Sequence, residues 1–330
     1  MAEKASEVSA RAGLNSEPRA SGAAWVAHRE RGSARLLAGM ILISLRIGRP
    51  AGRLVLYCIA LYYFLFAPTE RRHQIAYLRQ VFGRKPTPAE RFRQLFAFST
   101  TLHDRLYVLH ERYDLFDIST EGEELMLETL ARGRGAFLLG AHLGSTDMIG
   151  AVGRRRPEGL RVALAMYEDN ASRFNAMLRA SGCARLPEII PLGHIDAMLR
   201  IRDCLAEGTC VGLLADRTIG EGPAQLVNFL GRPALFPTSP MRAAAALRCP
   251  VIFMCSLYQG GNRYRVIFRE IADFAHLTPE RRDTAVREGI ARYVALLEQY
   301  CREGPYNWFN FYDFWQGRHI ADDAARESRG

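Results

Sequence analysis

The chain has 330 residues, an apolar fraction of 48% and a formal net charge of +9, and the only lysines among its 44 basic residues are Lys4 and Lys85. That length and apolar content allow one large domain or two small ones with a sizeable core. The seven cysteines include no CxxC pair and no Cys/His cluster at metal-ligand spacing, which argues against a structural zinc site and for reduced, mostly buried thiols.

Residues 1–22 are rich in Ala, Ser, Glu, Arg and Gly without periodicity, which predicts a disordered terminus lacking a secretory h-region. Two apolar segments follow, ARLLAGMILISLRIGRP (34–50) and RLVLYCIALYYFLFAP (53–68). Each is shorter than the roughly 20 residues a spanning helix needs. Arg46, Arg49, Arg53, Arg71 and Arg72 border them, and Tyr57, Tyr62 and Tyr63 add rings suited to an interface. The stretch 23–72 is therefore expected to associate with a membrane surface. The other reading is a buried helix pair.

Residues 73–330 read as an α/β domain. A long amphipathic helix is predicted over 88–112, then alternating helices and strands. The expected strands are 136–142, 161–166, 188–192, 209–216, 225–229, 250–258 and 264–270, the last two as antiparallel neighbours. Helices are expected at 122–132, from about 145, and at 171–182, 195–208, 240–248 and 278–303. This order predicts a mainly parallel central sheet flanked by helices on both faces.

Strand AFLLGAH ends at His142, and the next helix places Asp147 in its first turn. Ligands of open α/β sheets bind beyond the carboxyl ends of the strands. An imidazole there, oriented by a carboxylate at one ring nitrogen, has a base at the other and can take a proton from an attacking alcohol. The helix N-terminus supplies amides for a phosphate or an oxyanion. By spacing alone, a satisfied strand-end histidine and an ordinary first-turn aspartate fit as well.

GAHLGSTD resembles the HxxxxD block of the glycerolipid acyltransferase superfamily. The whole chain, over roughly 24–315, is similar to the late acyltransferases of lipid A biosynthesis, the lauroyl/myristoyl type. RERG (29–32), LYYFLFAPTERR (61–72) and ADRTIGEGPAQLVNFLGRPALFPTSP (215–240) carry the rest of the likeness. That family commonly has Asp-Gln and a double Phe-Gly in the last block, where this chain has Asp216-Arg217 and Phe229-Leu230-Gly231. The tail NWFNFYDFW resembles the branch associated with aryl polyene pigment clusters, which would make the acceptor a glycolipid-type anchor.

The resemblance implies a membrane-associated O-acyltransferase at the cytoplasmic face of the bacterial inner membrane. The acyl donor would be an acyl carrier protein or coenzyme A thioester, and the acceptor a hydroxyl of a lipid A-like, glycolipid or lysophospholipid molecule. His142 is then the general base and Asp147 its orienting acid, with no metal and no resident cofactor. A basic chain suits an acidic carrier protein.

Asp216 ends strand TCVGLLAD and is expected at the same sheet edge as His142, followed by Arg217, and both are candidates to bind substrate. Arg173, in DNASRFNAMLRASG, and Arg242, near a helix start, are candidates to hold a phosphopantetheine phosphate or an anionic headgroup. PYNWFNFYDFW (305–315) packs seven aromatics into eleven residues; it completes a core, clasps a terminus, walls an acyl tunnel, or forms a membrane-facing girdle. His103, His110 and His194 are expected to have no role.

Two other functions fit the same residues. One is a thioesterase or lipid hydrolase in which water replaces the alcohol, and the other a non-enzymatic membrane adaptor. No GxSxG elbow supports a serine hydrolase, and no GxGxxG or Walker pattern supports nucleotide binding. The arginines form no localised patch with interleaved aromatics, which ranks nucleic acid last among partners.

Overall fold

The computed structural model describes residues 46, 48–154, 160–167, 188–194, 196–218 and 222–315. Most of the apolar segment expected at 34–50 lies outside them, as does the whole helix expected at 171–182.

Three helices lead into the sheet. Helix α1 (Arg49–Phe66) carries Pro50 in its first turn and buries Gly52, Leu56 and Ala60, spaced by four. This narrow stripe, small at Gly52 and Ala60, packs α1 against α3 (Pro88–Leu109), and Tyr57 stacks on Phe96 with centroids 4.2 Å apart. Between them, α2 (Pro68–Phe82) turns sharply away and buries Gln74, Tyr77 and Leu78. The 94° bend between α1 and α2 falls where Ala67 precedes Pro68, a position biased away from helical geometry. Residue 72, the expected domain boundary, lies inside α2. Helix α3 starts at a reciprocal capping box between Thr87 and Glu90 with Pro88 at the first helical position.

Buried charge ties α1 to the domain. Arg49 donates Nε and Nη2 to the two oxygens of Asp104, each at 2.7 Å. Tyr264 Oη donates to the same carboxylate at 2.6 Å, and Arg49 and Arg53 both donate to the Gly261 carbonyl. Burial opposes ionisation of Asp104, but the neighbouring His103 ring and the bonds from Arg49 and Tyr264 hold its carboxyl below the ordinary range. At least these two of the flanking arginines are therefore engaged by protein.

The domain is built on a seven-stranded sheet in the order β1-β9-β8-β2-β5-β3-β4. Its strands are β1 (Asp117–Glu121), β2 (Phe137–Gly140), β3 (Val162–Tyr167), β4 (Glu188–Leu192), β5 (Cys210–Leu214), β8 (Pro250–Gly260) and β9 (Arg263–Asp273). Strands β8, β2, β5, β3 and β4 run parallel, and β9 is antiparallel to β8. The mainly parallel α/β architecture read from the sequence is the one observed.

Alternation along β2 separates two cores. Phe137 and Leu139 face one cluster, which holds Tyr293, Leu297 and Tyr300 of α8 (Arg282–Glu303) and residues of α6 (Ala197–Ala206) and α7 (Ser239–Leu247). Leu138 faces the other, with Val108 of α3, Met126 of α4 (Glu123–Ala131), and Met148 and Ile149 of α5 (Thr146–Arg154). A sheet buried on both faces gives near-continuous apolar strands, which is why β2, β5 and β8 were legible.

Two strands were not predicted. β1 is a half-exposed edge strand of sequence DISTE, polar enough to read as loop. β7 (Arg232–Pro237) pairs with β6 (Ala224–Phe229) in a separate hairpin. Its turn residues Leu230 and Gly231 both have positive φ, +53° and +79°, as a two-residue primed turn requires. Leucine at the first turn position hides that hairpin from a composition-based reading. The Leu230 amide donates to Glu298 of α8 at 2.6 Å, tying the turn down.

Candidate active site

The site grows from the register of two neighbouring strands. β2 and β5 are parallel partners with Gly140 opposite Leu214. Two residues further on, each chain leaves the sheet, and this puts His142 beside Asp216. His142 Nδ1 lies 2.8 Å from Asp216 Oδ1, and the His142 backbone N–H donates to Asp216 Oδ2 at 3.1 Å. The Trp308 indole Nε1–H donates to the same Oδ2 at 3.1 Å. The Asp216 side chain is 1% exposed and that of His142 is 31% exposed.

The electrostatics favour a neutral imidazole beside an ionised carboxylate. Burial pulls the His142 pKa below its ordinary value; Asp216 opposes this and the Arg217 charge adds to it. For Asp216, burial works against ionisation, but the charge and hydrogen bonds of His142, with Arg217, hold the carboxyl well below the usual carboxylate range. A bond from Nδ1–H to a fixed carboxylate leaves Nε2 as the basic nitrogen.

The turn after His142 is held by backbone contacts. The Gly144 N–H donates to the Asn307 carbonyl at 2.8 Å and the Ser145 N–H to Ser256 at 3.0 Å. Gly144 has φ +72°, and a Cβ there would lie 1.6 Å from the Ser256 carbonyl oxygen. No other residue fits this close approach. α5 then begins, and Thr146 and Asp147 of its first turn line the same cavity as His142.

The expected bond between Asp147 and His142 is not what the structure contains. Asp147 Oδ2 accepts from Arg105 Nε of α3 at 2.7 Å, while the ring is bonded to Asp216. The reason is geometric. Asp216 lies across one strand spacing from His142 in matched register, whereas Asp147 sits on a helix that packs against α3 and meets its basic side chain there. Asp216, expected at the sheet edge as a substrate-binding residue, is instead the residue in contact with the ring, its oxygens taken up by His142 and Trp308.

The other expected site residues divide. Arg217 lines the cavity, stands over the Tyr312 ring with its guanidinium carbon 5.0 Å from the centroid, and donates to the Phe309 carbonyl at 3.3 Å. Arg242 is not brought to the cavity. It projects from α7 into solvent, 3.9 Å from Asp283, because its neighbours Pro240 and Ala243 occupy the inward face of that helix. Arg173 lies outside the described residues. His194, expected to have no role, lines the cavity, whereas His103 is fully buried on α3.

The cavity has a volume of about 1070 Å³. Part of it is a slot between the sheet and α5, with Leu138, Val162, Leu164 and Met254 below and Ile149 and Gly153 above. Gly212 of β5 opens this slot. A Cβ there would stand 3.5 Å from Leu164, Val162 and Met254 side-chain carbons, with room for a methyl group and little more. The aromatic segment 305–315 closes the opposite face of the site. Trp308 packs its ring on Tyr77 and Phe314, with centroids 4.8 and 4.9 Å away. Of the roles expected for the segment, completing a core is the one seen, with Trp308, Phe314 and Trp315 in the larger cluster.

The fold is that of an α/β protein with a histidine–carboxylate pair at the carboxyl edge of a mainly parallel sheet, the histidine facing a cavity lined largely by apolar residues. The profile of the bacterial lipid A biosynthesis acyltransferases matches residues 47–316, and the chain belongs to that family. It is thus an acyltransferase of lipid biosynthesis. A search of curated proteins found no match. Among the described residues, no group of three or more His, Cys, Asp or Glu side chains is arranged to hold a metal ion.

Proposed function

We propose that the protein moves a fatty acyl group from an acyl carrier protein or coenzyme A thioester to a hydroxyl of a lipid A-like, glycolipid or lysophospholipid acceptor. His142 acts as general base, oriented by Asp216. The observation that carries this reading is the 2.8 Å contact between His142 Nδ1 and the buried Asp216 carboxylate, at the wall of a cavity with an apolar slot.

The acceptor hydroxyl gives its proton to His142 Nε2 as its oxygen attacks the thioester carbonyl. The C–S bond of the resulting tetrahedral intermediate then breaks, and the departing thiolate takes the proton back from the imidazolium. Asp216 fixes the tautomer and stabilises the charged ring. Thr146 and Asp147 line the cavity, and the first-turn amides of α5, which have no intrahelical acceptor, suit the oxyanion. The acyl chain occupies the slot beneath α5. Asp147 holds Arg105 at the cavity wall, where that cation and Arg217 favour an anionic substrate.

Membrane association is part of the proposal. α1 exposes Leu54, Leu61, Leu65 and Phe66, with Tyr62 and Tyr63 beside them and Tyr57 half exposed where it stacks on Phe96 of α3. Among the described residues no single helix is long and apolar enough to cross a membrane; α1 and α2 meet that measure only as a bent pair. An apolar face of this kind supports burial in the headgroup region at the cytoplasmic side of the inner membrane. Replacing Leu54, Leu61, Leu65 and Phe66 together by serine is expected to abolish flotation with anionic vesicles.

The decisive experiment is His142→Ala in purified protein, assayed with an acyl thioester in the presence and absence of acceptor lipid. A loss of at least about 100-fold in acyl-lipid product is expected, the scale of a missing general base. Near-wild-type turnover would remove His142 from the mechanism. Free fatty acid as the main product with acceptor present would make the enzyme a hydrolase.

A further inference from the structure

We infer that Trp308 is a positioning residue of the acyl transfer reaction. Its indole N–H, by hydrogen bonding Asp216, sets how strongly that carboxylate acts on His142. This rests on the reading of His142 as base and Asp216 as its orienting acid.

The inference starts from the donors around one carboxylate. Asp216 Oδ1 faces the His142 ring, while Oδ2 takes the His142 backbone N–H and the Trp308 indole N–H. Both Asp216 and Trp308 are essentially without solvent contact, at 1% and 0% exposure. A charge-assisted bond formed out of water is among the stronger ones a protein makes. The indole is also fixed from both sides in the chain. The Asn307 carbonyl accepts from Gly144, the Phe309 N–H donates to the His142 carbonyl at 2.8 Å, and Leu143 bridges Trp308. Gln94, itself fully buried, donates to the Trp308 carbonyl at 2.8 Å. Residues 307–309 thus run alongside the catalytic turn, and this fixes the backbone from which the indole reaches Asp216.

Packing alone would not demand this arrangement. Tyr77, Phe229, Phe314 and Trp315 surround the ring, and a phenylalanine would keep most of those contacts. What only tryptophan supplies here is a donor aimed at Oδ2. With the donor present, part of the negative charge of Asp216 is spent on the indole. Without it the carboxylate is more basic, attracts the imidazolium more strongly, and raises the pH at which Nε2 becomes free.

The test compares kcat/KM against pH for wild type and Trp308→Phe. The acidic limb of the variant is expected to move to higher pH by about half a unit or more, since one pH unit corresponds to about 1.4 kcal/mol. Activity below the limb then falls by about three-fold or more, while the high-pH plateau changes less. A structural role would lower the plateau and the melting temperature and leave the limb in place. Should Trp308→Phe not fold, benzothienylalanine at position 308 keeps the ring shape and replaces the N–H by sulfur, and its limb is expected to move in the same direction. An unmoved limb, within about 0.2 unit, in a folded variant overturns the inference. If Asp216→Asn retains wild-type activity, the underlying reading of Asp216 fails instead, so the two failures are distinguishable.

Discussion

Asp216→Asn and Asp147→Asn separate the two carboxylates near His142, and the structure ranks them. Three N–H groups point at Asp216: His142 Nδ1 at 2.8 Å, and the His142 backbone and Trp308 indole, each at 3.1 Å. An amide has a single oxygen. Placed at the Oδ2 position it retains the two 3.1 Å bonds, and its NH2 then meets Nδ1. The ring must accept there, so its proton moves to Nε2 and the base is lost. Loss of tautomer and counter-charge together is worth about 10³–10⁴ in kcat, or roughly 4–5.5 kcal/mol. Asp147→Asn removes one ion pair whose side chains are 23% and 14% exposed. A pair that still meets solvent is worth about 1 kcal/mol or less, so less than about ten-fold is expected. Initial rates with an acyl thioester and acceptor lipid in mixed micelles, on variants of matched melting temperature, give the ranking. If Asp147→Asn were as damaging as His142→Ala while Asp216→Asn stayed within about ten-fold of wild type, the assignment of the orienting acid would be wrong.

Because burial lowers the His142 pKa, its neutral form persists below the ordinary value, so the acidic limb of kcat/KM is expected at an apparent pKa under about 6.5. A limb above that value would contradict the burial argument. Gly212→Leu would fill the slot under α5 beside Leu164 and Met254. Preference among acyl donors is expected to shift to shorter chains, at about 0.8 kcal/mol for each methylene excluded; an unchanged chain-length profile would place the acyl group elsewhere. Asp104→Ala leaves Arg49, only 10% exposed, without its counter-charge, a change that costs about 3–5 kcal/mol. Denaturant unfolding should show it, and a loss under about 1 kcal/mol would mean that α1 is held mainly by its apolar stripe.

Much of this protein is written locally. Continuous apolar runs bounded by turn residues mark β2, β5 and β8 because strands buried on both faces need them, and the amphipathic period over 88–112 marks α3 because one face of that helix packs on the domain. The histidine at the end of β2 was visible for the same reason: a polar group directly after a buried run sits where the sheet meets a cavity. β1 and β7 were hidden, one by its polar edge position and the other by a leucine in a turn that usually carries asparagine or glycine. The sequence likewise shows arginines beside apolar segments, but not that Arg49 is turned inward to Asp104, since pairing over 55 residues leaves no local trace.

The choice between two acids for one histidine belongs to tertiary structure. Along the chain, Asp147 is five residues from His142 and Asp216 is 74 away, so spacing favours the first. Parallel strand pairing reverses that order by bringing the ends of β2 and β5 into register, and Trp308, 92 residues beyond Asp216, reaches the same carboxylate because the aromatic tail folds back along the catalytic turn. Residue types and their periodicity decide which segments form strands and helices. Only the closing of the sheet decides which side chains meet at its edge, because hydrogen-bond partners are set by distance in space.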